Sequence, residues 1–468
     1  MSVNRLAIAV VICTSLTVAT VCPASAAGPS YDDAWPQWRG PDGTGVAPHG
    51  DPPVTWNEDQ NVRWKVPIPG RGHSSPIVWQ DRVYLLTAVE VEPEPAPEAT
   101  PDSASETHEP IPGGGSRFRP RGIHPENPVR FVVLALNRAT GSVVWERTAR
   151  TAVPHEGTHR TATWASASAV TDGEVLVANF GSNGIYAYDL DGELLWEKDF
   201  GDQTTRNAFG EGSSPVISGK VVVANWDHEG DSFITAMDRD SGESLWRRER
   251  DEPTSWSTPL VVPVDGASQV IVSASNRVRA YDLETGEDVW HVGGMTLNVI
   301  PTPAYSDGLV YLMSGFRGDT VMAIRLAGAK GDLDGTDSIV WSLDRDASYT
   351  PSGLVYGDTF YFLKRNDGIL SSVNARTGQH LFGPERLEGI DGDAGVYASL
   401  VGAAGRVYVT GQNGTTLVLK RGAELDVLSA NRLDDGFDAS PAIAGSQLFL
   451  RGRAHLYCLE ESESGRRE

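Results

Sequence analysis

A short turn motif recurs along the chain and limits the folds open to it more strictly than any other feature. In "AYDLETGEDVW" a tryptophan lies four positions after a glycine, and near-copies of this segment occur several times. The residues that end the copies are spaced by 51, 50, 44, 51, 41 and 46 residues. A period in the forties is the length of a four-stranded propeller blade. The copies end at Trp145, Trp196, Trp246, Trp290 and Phe382, and Trp341 and Leu428 fit the series more loosely.

The residue types in the motif suit a β-hairpin followed by a packing contact. The glycine supplies the positive φ that a tight hairpin requires, and an aspartate or asparagine before it can bond to the amides of the turn. One sheet packs on another only where large apolar side chains fill the gap between them. We therefore predict that the aromatic residues dock each blade on the next. They are Trp64, Trp145, Trp196, Trp246, Trp290, Trp341 and Phe382.

A second series of segments supplies the inner strands. Eight stretches of small and apolar residues, such as "SSPIVW" from Ser74, precede the turn motifs. The last repeat stops at "LYCLE" without an outer strand, whereas "NVRWKVPIP" carries Trp64 with no inner strands before it. We predict that this N-terminal strand completes the last blade and removes an exposed sheet edge. The fold class is then all-β, an eight-bladed β-propeller of four-stranded antiparallel blades closed by an N-terminal strand.

The chain divides into four segments by composition. Residues 1–26 carry an apolar run and end in "ASA", which predicts a secretory signal cut after Ala26 and a periplasmic or extracellular protein. A membrane anchor, or a lipid on Cys22, is the alternative. An entry segment (27–60) precedes the propeller (61–460), and a polar tail follows (461–468). A Pro- and Glu-rich insertion in blade one, residues 91–128, is predicted to be disordered.

The net charge disfavours several classes of partner, and the cysteine content excludes an intramolecular disulfide. The formal net charge of −23 disfavours binding to nucleic acid or to anionic lipid, and it favours a soluble protein without membrane insertion. After removal of the signal, Cys458 is the one cysteine, so no intramolecular disulfide can form. We expect a monomer.

The repeated Ala-x-Asp-x-x-Thr-Gly-x-x-x-Trp turns resemble those of the PQQ-like β-propeller repeat family, which includes the quinoprotein alcohol dehydrogenases and BamB. The segment "WPQWRGPDGTG" (35–45) is similar to the opening of the secreted, BamB-like branch. The resemblance covers about residues 34–460. It implies the fold strongly and the function weakly, because many members of the family bind no cofactor.

The resemblance to the dehydrogenases of this family implies a quinone site of their kind. There the quinone is held by a disulfide between adjacent cysteines, with calcium and a catalytic aspartate beside it. This chain has no Cys-Cys pair and no Cys-x-x-Cys-His for a haem. A tricarboxylate cofactor would also need converging cations in a strongly acidic protein. We therefore expect no cofactor, and a PQQ-dependent dehydrogenase is the alternative.

Two further motifs suggest metal chemistry but fit loops better. "HEGTH" (155–159) matches a zinc protease signature, yet that chemistry needs a helix, and Pro154 and Gly157 disfavour one here. A metal bound by the two histidines in a loop, or a metal-dependent hydrolase, is the alternative. "GDLDGTD" (331–337) resembles a calcium loop but lacks its full spacing. We predict a blade-five turn there, with Asp332, Asp334 and Asp337 as weak metal candidates.

Strand parity gathers the candidate binding residues at one end of the ring. In a four-stranded antiparallel blade, the loop after the second strand and the loop to the next blade leave at the same end. Loops carry function on rigid scaffolds. We predict a mouth that binds a protein partner or a small ligand, so that the protein is a non-catalytic binding or assembly scaffold; a carbohydrate- or peptide-binding propeller is a further alternative. The candidate residues are His73, His155, Glu156, His159, Arg206, Asn207, Glu211, Trp256 and Asn298.

Overall fold

The computed structural model describes residues 33–91, 122–123, 125–390 and 395–462, which form eight blades around one axis. The predicted signal segment, most of the predicted insertion and the end of the polar tail lie outside the described residues. The prediction of an all-β, eight-bladed propeller of four-stranded antiparallel blades is confirmed. Two short 3-10 turns, Gly181–Asn183 and Arg206–Ala208, interrupt the strands.

The strands of the first four blades follow each other in chain order. Before them come β1 (Val46–Ala47) and β2 (Val62–Pro67). Blade one contains β3 (Ile77–Trp79), β4 (Arg82–Glu90), β5 (Val129–Asn137) and β6 (Val143–Ala152). Blade two contains β7 (Val170–Thr171), β8 (Val175–Asn179), β9 (Ile185–Asp189) and β10 (Leu194–Lys198). Blade three contains β11 (Val216–Ser218), β12 (Val221–Trp226), β13 (Phe233–Asp238) and β14 (Ser244–Glu249). Blade four contains β15 (Leu260–Val264), β16 (Ala267–Val272), β17 (Val278–Asp282) and β18 (Asp288–Val292).

The remaining blades contain sixteen strands, one of which is β2 from the N-terminal part of the chain. Blade five contains β19 (Ala304–Ser306), β20 (Leu309–Ser314), β21 (Thr320–Arg325) and β23 (Ile339–Leu343), with β22 (Gly331–Asp332) between the last two. Blade six contains β24 (Leu354–Tyr356), β25 (Thr359–Leu363), β26 (Ile369–Asn374) and β27 (His380–Arg386). Blade seven contains β28 (Val401–Ala403), β29 (Arg406–Thr410), β30 (Thr415–Lys420) and β31 (Val427–Arg432). Blade eight contains β32 (Ala442–Ala444), β33 (Gln447–Arg451), β34 (His455–Leu459) and β2.

The N-terminal strand closes the ring, as predicted. Strand β2 pairs antiparallel with β34, and Trp64 lies opposite Cys458. This pairing supplies the outer strand that the last repeat lacks. The ends of the chain therefore share one sheet, and the last blade has no open edge at β34.

The tryptophan of one blade packs on the glycine turn of the next. A Cβ on Gly286 would lie 2.5 Å from the indole of Trp246, and a Cβ on Gly192 would lie 2.8 Å from that of Trp145. The indole N–H of Trp246 also donates to the carbonyl of Leu283 in the same turn, at 2.9 Å. The glycine thus supplies a positive φ and also leaves room for the indole of the preceding blade.

Blade four departs from the simple repeat. The segment 331–337 lies in the blade-five connection and turns at residues 334–337, as predicted. Its first part, β22, was not predicted, and it pairs parallel with β18 at the outer edge of blade four. Trp290 on β18 donates its indole N–H to the side chain of Gln269 instead of to a turn carbonyl. Because blade five has a longer connection between β21 and β23, its segment 331–332 is free to extend the neighbouring sheet.

A closed ring of hydrogen bonds surrounds the axis. One serine or threonine at the start of each inner strand accepts the backbone N–H of the equivalent residue in the preceding blade, at 2.8 to 3.1 Å. The last bond, from the N–H of Ser440 to the hydroxyl of Ser75, closes the circle. Eight blades are therefore held in register at the axis as well as at the rim. The hydroxyl ring consists of Ser75, Ser168, Ser214, Thr258, Thr302, Ser352, Ser399 and Ser440.

The N-terminal segment crosses the axial channel before it reaches β2. Trp35 exchanges two main-chain hydrogen bonds with Val78 of blade one. The buried guanidinium of Arg39 donates to the carbonyls of Leu400 and Gly353, at the inner strands of blades seven and six. The segment then forms β1, which pairs parallel with β28 in blade seven. Contacts with opposite sides of the ring place residues 35–47 across the axis.

Candidate functional site

The inter-blade loops of all eight blades surround one cavity of about 370 Å³ at the predicted mouth. Four of the predicted residues line it. They are His73, His159, Glu211 and Trp256. The floor includes Trp38 of the N-terminal segment and several hydroxyls of the ring. The cavity is within the size range of small-ligand sites, and its wall combines six aromatic side chains with hydroxyls, two histidines and two carboxyls.

A histidine and an aspartate face each other across the junction of blades eight and one. His73 Nε2 lies 3.5 Å from a carboxylate oxygen of Asp438. Burial lowers the pKa of His73 to about 4, so the imidazole is neutral near pH 7. Burial opposes ionisation of Asp438, but the Arg453 guanidinium and the amide of Gln412 hold the pKa of Asp438 below its usual value. The carboxylate of Asp438 is thus already bonded to Arg453 and Gln412.

Two glutamates lie two blades further around the mouth, beside a small polar chamber between blades two and three. Glu211 lines both the mouth and this chamber, which has a volume of about 30 Å³. Its carboxyl accepts hydrogen bonds from the N–H and hydroxyl of Ser182, and burial raises its pKa to about 7. Glu156 lines the chamber and accepts the N–H and hydroxyl of Thr205. Each carboxyl therefore fixes a neighbouring loop.

The aromatic side of the mouth is also fixed by local contacts. The indole N–H of Trp256 donates to the carbonyl of Gly210 at 2.6 Å. His159 accepts or donates a 2.7 Å hydrogen bond with the Thr161 hydroxyl and packs edge-on against Phe209. Burial lowers the pKa of His159, with the charge of Arg160 acting in the same direction. These contacts orient the two side chains on this wall.

The other predicted residues do not line the mouth cavity. His155 lines the small chamber, and its Nε2 bonds to the carbonyl of Gln203 at 2.8 Å. Arg206 and the exposed Asn207 lie on the 3-10 turn beside the mouth, and Asn298 is buried. The segment 155–159 is a loop and contains no helix.

The calcium-like motif lies at the rim and not at the mouth. Asp332 is in β22, where its carboxylate accepts the N–H of Asp334, and Asp334 accepts the N–H of Gly293. Among the described residues, no group of three or more His, Cys, Asp or Glu side chains is placed to hold a metal ion. Asp332 and Asp334 thus shape the extra strand of blade four, and Asp337 lies in the turn that follows it.

Six Phe, Tyr and Trp side chains line the mouth cavity, and the sequence prediction named only one of them, Trp256. Phe316 stacks on Tyr349, with ring centroids 4.8 Å apart, and Tyr397 and Trp38 complete the wall. Tyr349 and Tyr397 lie in inter-blade loops, so strand parity alone would have placed them at the mouth. Trp38 had no such signal, because it reaches the axis through the crossing N-terminal segment.

The lining does not fit pyrroloquinoline quinone, the cofactor after which this type of repeat is named. Within the described residues, the mouth cavity has no lysine or arginine on its wall to receive three carboxylates, and it carries the carboxyls of Glu211 and Asp438. Arg451 approaches from behind the wall, but its guanidinium donates to the carbonyls of Ser74 and Leu86. Cys458, the free cysteine of the described residues, is buried in blade eight.

Similarity to known proteins defines the class and then the family. The family model described as "Outer membrane protein assembly factor BamB" matches residues 129–293 and 230–467. A BamB from Kangiella koreensis is 30% identical over 155 residues, 32% of this chain and 37% of that protein. Methanol dehydrogenase [cytochrome c] subunit 1 from Methylobacterium organophilum is 26% identical over 141 residues, 26% of this chain and 22% of that protein.

A solved structure shows the same fold at low identity. Quinohemoprotein alcohol dehydrogenase from Comamonas testosteroni superposes with a TM-score of 0.58 at 10% identity, covering 93% of this chain and 81% of that one. The protein is thus a PQQ-like eight-bladed propeller. It belongs to the BamB family, although this chain spans only about a third or less of the length of the two curated relatives above.

Proposed function

We propose that this protein is an exported, non-catalytic propeller that binds a partner protein at the mouth and serves as an assembly scaffold. The observation that carries the proposal is that the carboxyl groups at the mouth are already hydrogen-bonded or ion-paired to neighbouring side chains. Glu211 is bonded to Ser182, and Asp438 to Arg453. Polar groups fixed in this way shape a surface, and aromatic side chains held beside them are the usual anchors of protein interfaces.

The family supports a scaffold without naming a partner for this chain. The matching family model and the Kangiella koreensis relative carry the name of an assembly factor. Export rests on the apolar N-terminal segment, which lies outside the described residues. Within those residues, no helical segment is long and apolar enough to cross a membrane.

The test compares variants of the two faces of the ring. A partner is first captured from the native envelope fraction with the wild-type protein and identified. Its affinity is then measured for the double variant His159→Ala, Trp256→Ala, and for a control with the exposed glycine-turn residues Glu243→Ala and Glu287→Ala. We expect the mouth variant to lose binding with little change in Tm, and the control to bind normally.

Two outcomes would contradict the proposal. Loss of binding confined to the Glu243, Glu287 variant would move the interface to the opposite face. Dye reduction by purified protein supplied with pyrroloquinoline quinone and calcium would show catalysis, which the lining of the mouth disfavours.

A further inference from the structure

A second, larger cavity lies at the opposite end of the ring, on the face that carries the glycine turns. Its volume is about 650 Å³. The N-terminal segment from Gln37 to Pro48 forms one wall, and the inner strands of blades three to six form the other. We call it the rear cavity. Trp38 separates it from the mouth, because this side chain lines both cavities.

The N-terminal segment shows what the inner strands can bind. In each of the blades that the N-terminal segment contacts here, the residue three positions after the serine or threonine of the hydroxyl ring directs its main-chain groups into the channel. In blade one this residue is Val78, which exchanges two hydrogen bonds with Trp35. In blade two the N–H of Thr171 donates to the carbonyl of Pro36, and in blade seven the N–H of Gly402 donates to that of Gly45. Three inner edges are therefore covered by extended chain.

The same position is open in four consecutive blades. The equivalent residues of blades three to six have no main-chain partner across the channel within the described residues, and their strands are the terminal strands of their sheets. Their pairing with the next strand has the same register as in blades one and seven, so their free groups point the same way. All four line the rear cavity. They are Ile217, Val261, Tyr305 and Val355.

The lining defines the kind of chain that these edges would accept. Apart from the open main-chain groups, the wall carries prolines, valines and a leucine, with Tyr305 and Tyr356, and uncharged polar side chains that include several serines and threonines. Asp42 is its one charged side chain among the described residues, and no lysine or arginine lines it. An acidic ligand would find no counter-charge, whereas small apolar side chains would fit between the edges. Addition of an extended segment to an open sheet edge is a common mode of peptide recognition.

We propose that the rear cavity is a second binding site, which takes an extended, uncharged peptide segment of a partner protein through main-chain hydrogen bonds to the inner edges of blades three to six. The proposal goes beyond binding at the mouth and does not depend on it. Trp35, Pro36 and Gly45 already bind the inner edges of other blades through main-chain hydrogen bonds, and the peptide would bind in the same way.

The probe is the acetylated and amidated peptide Gly-Thr-Gly-Val-Ala-Pro-His-Gly, which copies residues 43–50. Titration calorimetry should show saturable binding to the full chain. Hydrogen exchange should slow in the segments around Ile217, Val261, Tyr305 and Val355, and more strongly there than in the loops of the mouth. A control peptide carries an N-methyl group on its alanine and therefore lacks that N–H donor. Parallel pairing like that of β1 requires this donor, so the control peptide should bind about tenfold or more weakly.

A matched pair of variants locates the site. Ser306→Trp fills the rear cavity from a half-buried position without removing any hydrogen bond of the serine side chain, and it should weaken binding by about tenfold or more. Ala423→Trp adds the same side chain at an exposed turn of blade seven on the same face, and it should leave binding unchanged. Absence of saturable binding at about 5 mM peptide, equal affinity in the two variants, or protection confined to the mouth would each overturn the proposal.

Discussion

Replacing Gly286 by alanine tests the contact between blades directly. Gly286 has a φ of +69°, and an added Cβ would lie 2.5, 2.7 and 2.9 Å from three ring atoms of Trp246. The left-handed backbone costs an L-residue about 1–2 kcal/mol, and overpacking a closed site costs about 1–3 kcal/mol. The smaller entropy of the unfolded alanine chain returns about 0.4–1 kcal/mol. We expect a net loss of about 1–4.5 kcal/mol in the free energy of unfolding, with about 3 kcal/mol at the midpoints of these ranges.

The control is Gly335→Ala, in the exposed turn before β23. Gly335 has nearly the same φ, +72°, but no heavy atom lies within 4 Å of the position of its Cβ. Its substitution should cost only the backbone term, about 1 kcal/mol. Urea unfolding of both variants, followed by tryptophan fluorescence and by circular dichroism, gives the two free energies.

A double-mutant cycle separates the two contributions to the cost at Gly286. In a Trp246→Ala background the clash is absent, so Gly286→Ala should then cost about 1 kcal/mol, as at Gly335. Equal losses for Gly286→Ala and Gly335→Ala in the wild-type background would refute the packing argument. The glycine would then serve only the hairpin.

Three other changes test the remaining elements. Trp290→Ala should cost about 3–5 kcal/mol in urea unfolding, because the side chain is 1% exposed; a loss below about 1 kcal/mol would contradict its role between blades. Deleting residues 27–70 removes β2 and the crossing segment, and it should cause aggregation or a large fall in Tm; melting near the wild-type temperature would show that the ring closes without them. Burial raises the pKa of Glu211 to about 7, so its contribution to stability is full at low pH and is lost as the pH rises from about 4.5 to 7. Burial lowers the pKa of His73 to about 4, so its contribution has the opposite sign and is lost as the pH falls from about 6.5 to 4. As the pH falls from 6.5 to 4.5, the free energy of unfolding of Glu211→Gln should therefore decrease by about 2 kcal/mol relative to that of the wild type. That of His73→Asn should increase by about as much relative to the wild type. Relative changes of the same sign in the two variants would refute this assignment.

The fold was predictable because its signals are local and repeated. The turn at Gly286 and the strand carrying Trp64 are each visible within about ten residues, and strand parity then placed His159 and Trp256 at the mouth. The hydroxyl ring was also within reach of the sequence, since a serine or threonine stands at the start of each inner strand. Its hydrogen bonds to neighbouring blades, such as that from Ser440 to Ser75, required the structure.

The crossing segment could not be predicted, because its contacts join distant parts of the chain. Arg39 bonds to Leu400, 361 positions later, and Trp38 reaches the axis only because the segment between Trp35 and β1 spans the channel. No periodicity marks either residue. The pairing of β22 with β18 was missed for a related reason, since a polar connection between strands gives no sign that it will extend the neighbouring sheet.

The crossing segment determines how the two ends of the ring can influence each other. Coupling between two sites requires an element that contacts both and changes between the states that each ligand favours. Trp38 meets the first condition, because it lines both cavities and continues into Arg39, which is buried and bonded to two blades. If both cavities bind, a peptide in the rear cavity and a partner at the mouth should therefore alter each other's affinity by the same factor. Trp38→Ala, which joins the two cavities, should abolish this mutual effect more strongly than it weakens either ligand alone. Equal coupling in the Trp38→Ala variant would show that the hydroxyl ring and the blades, and not the N-terminal segment, connect the two faces.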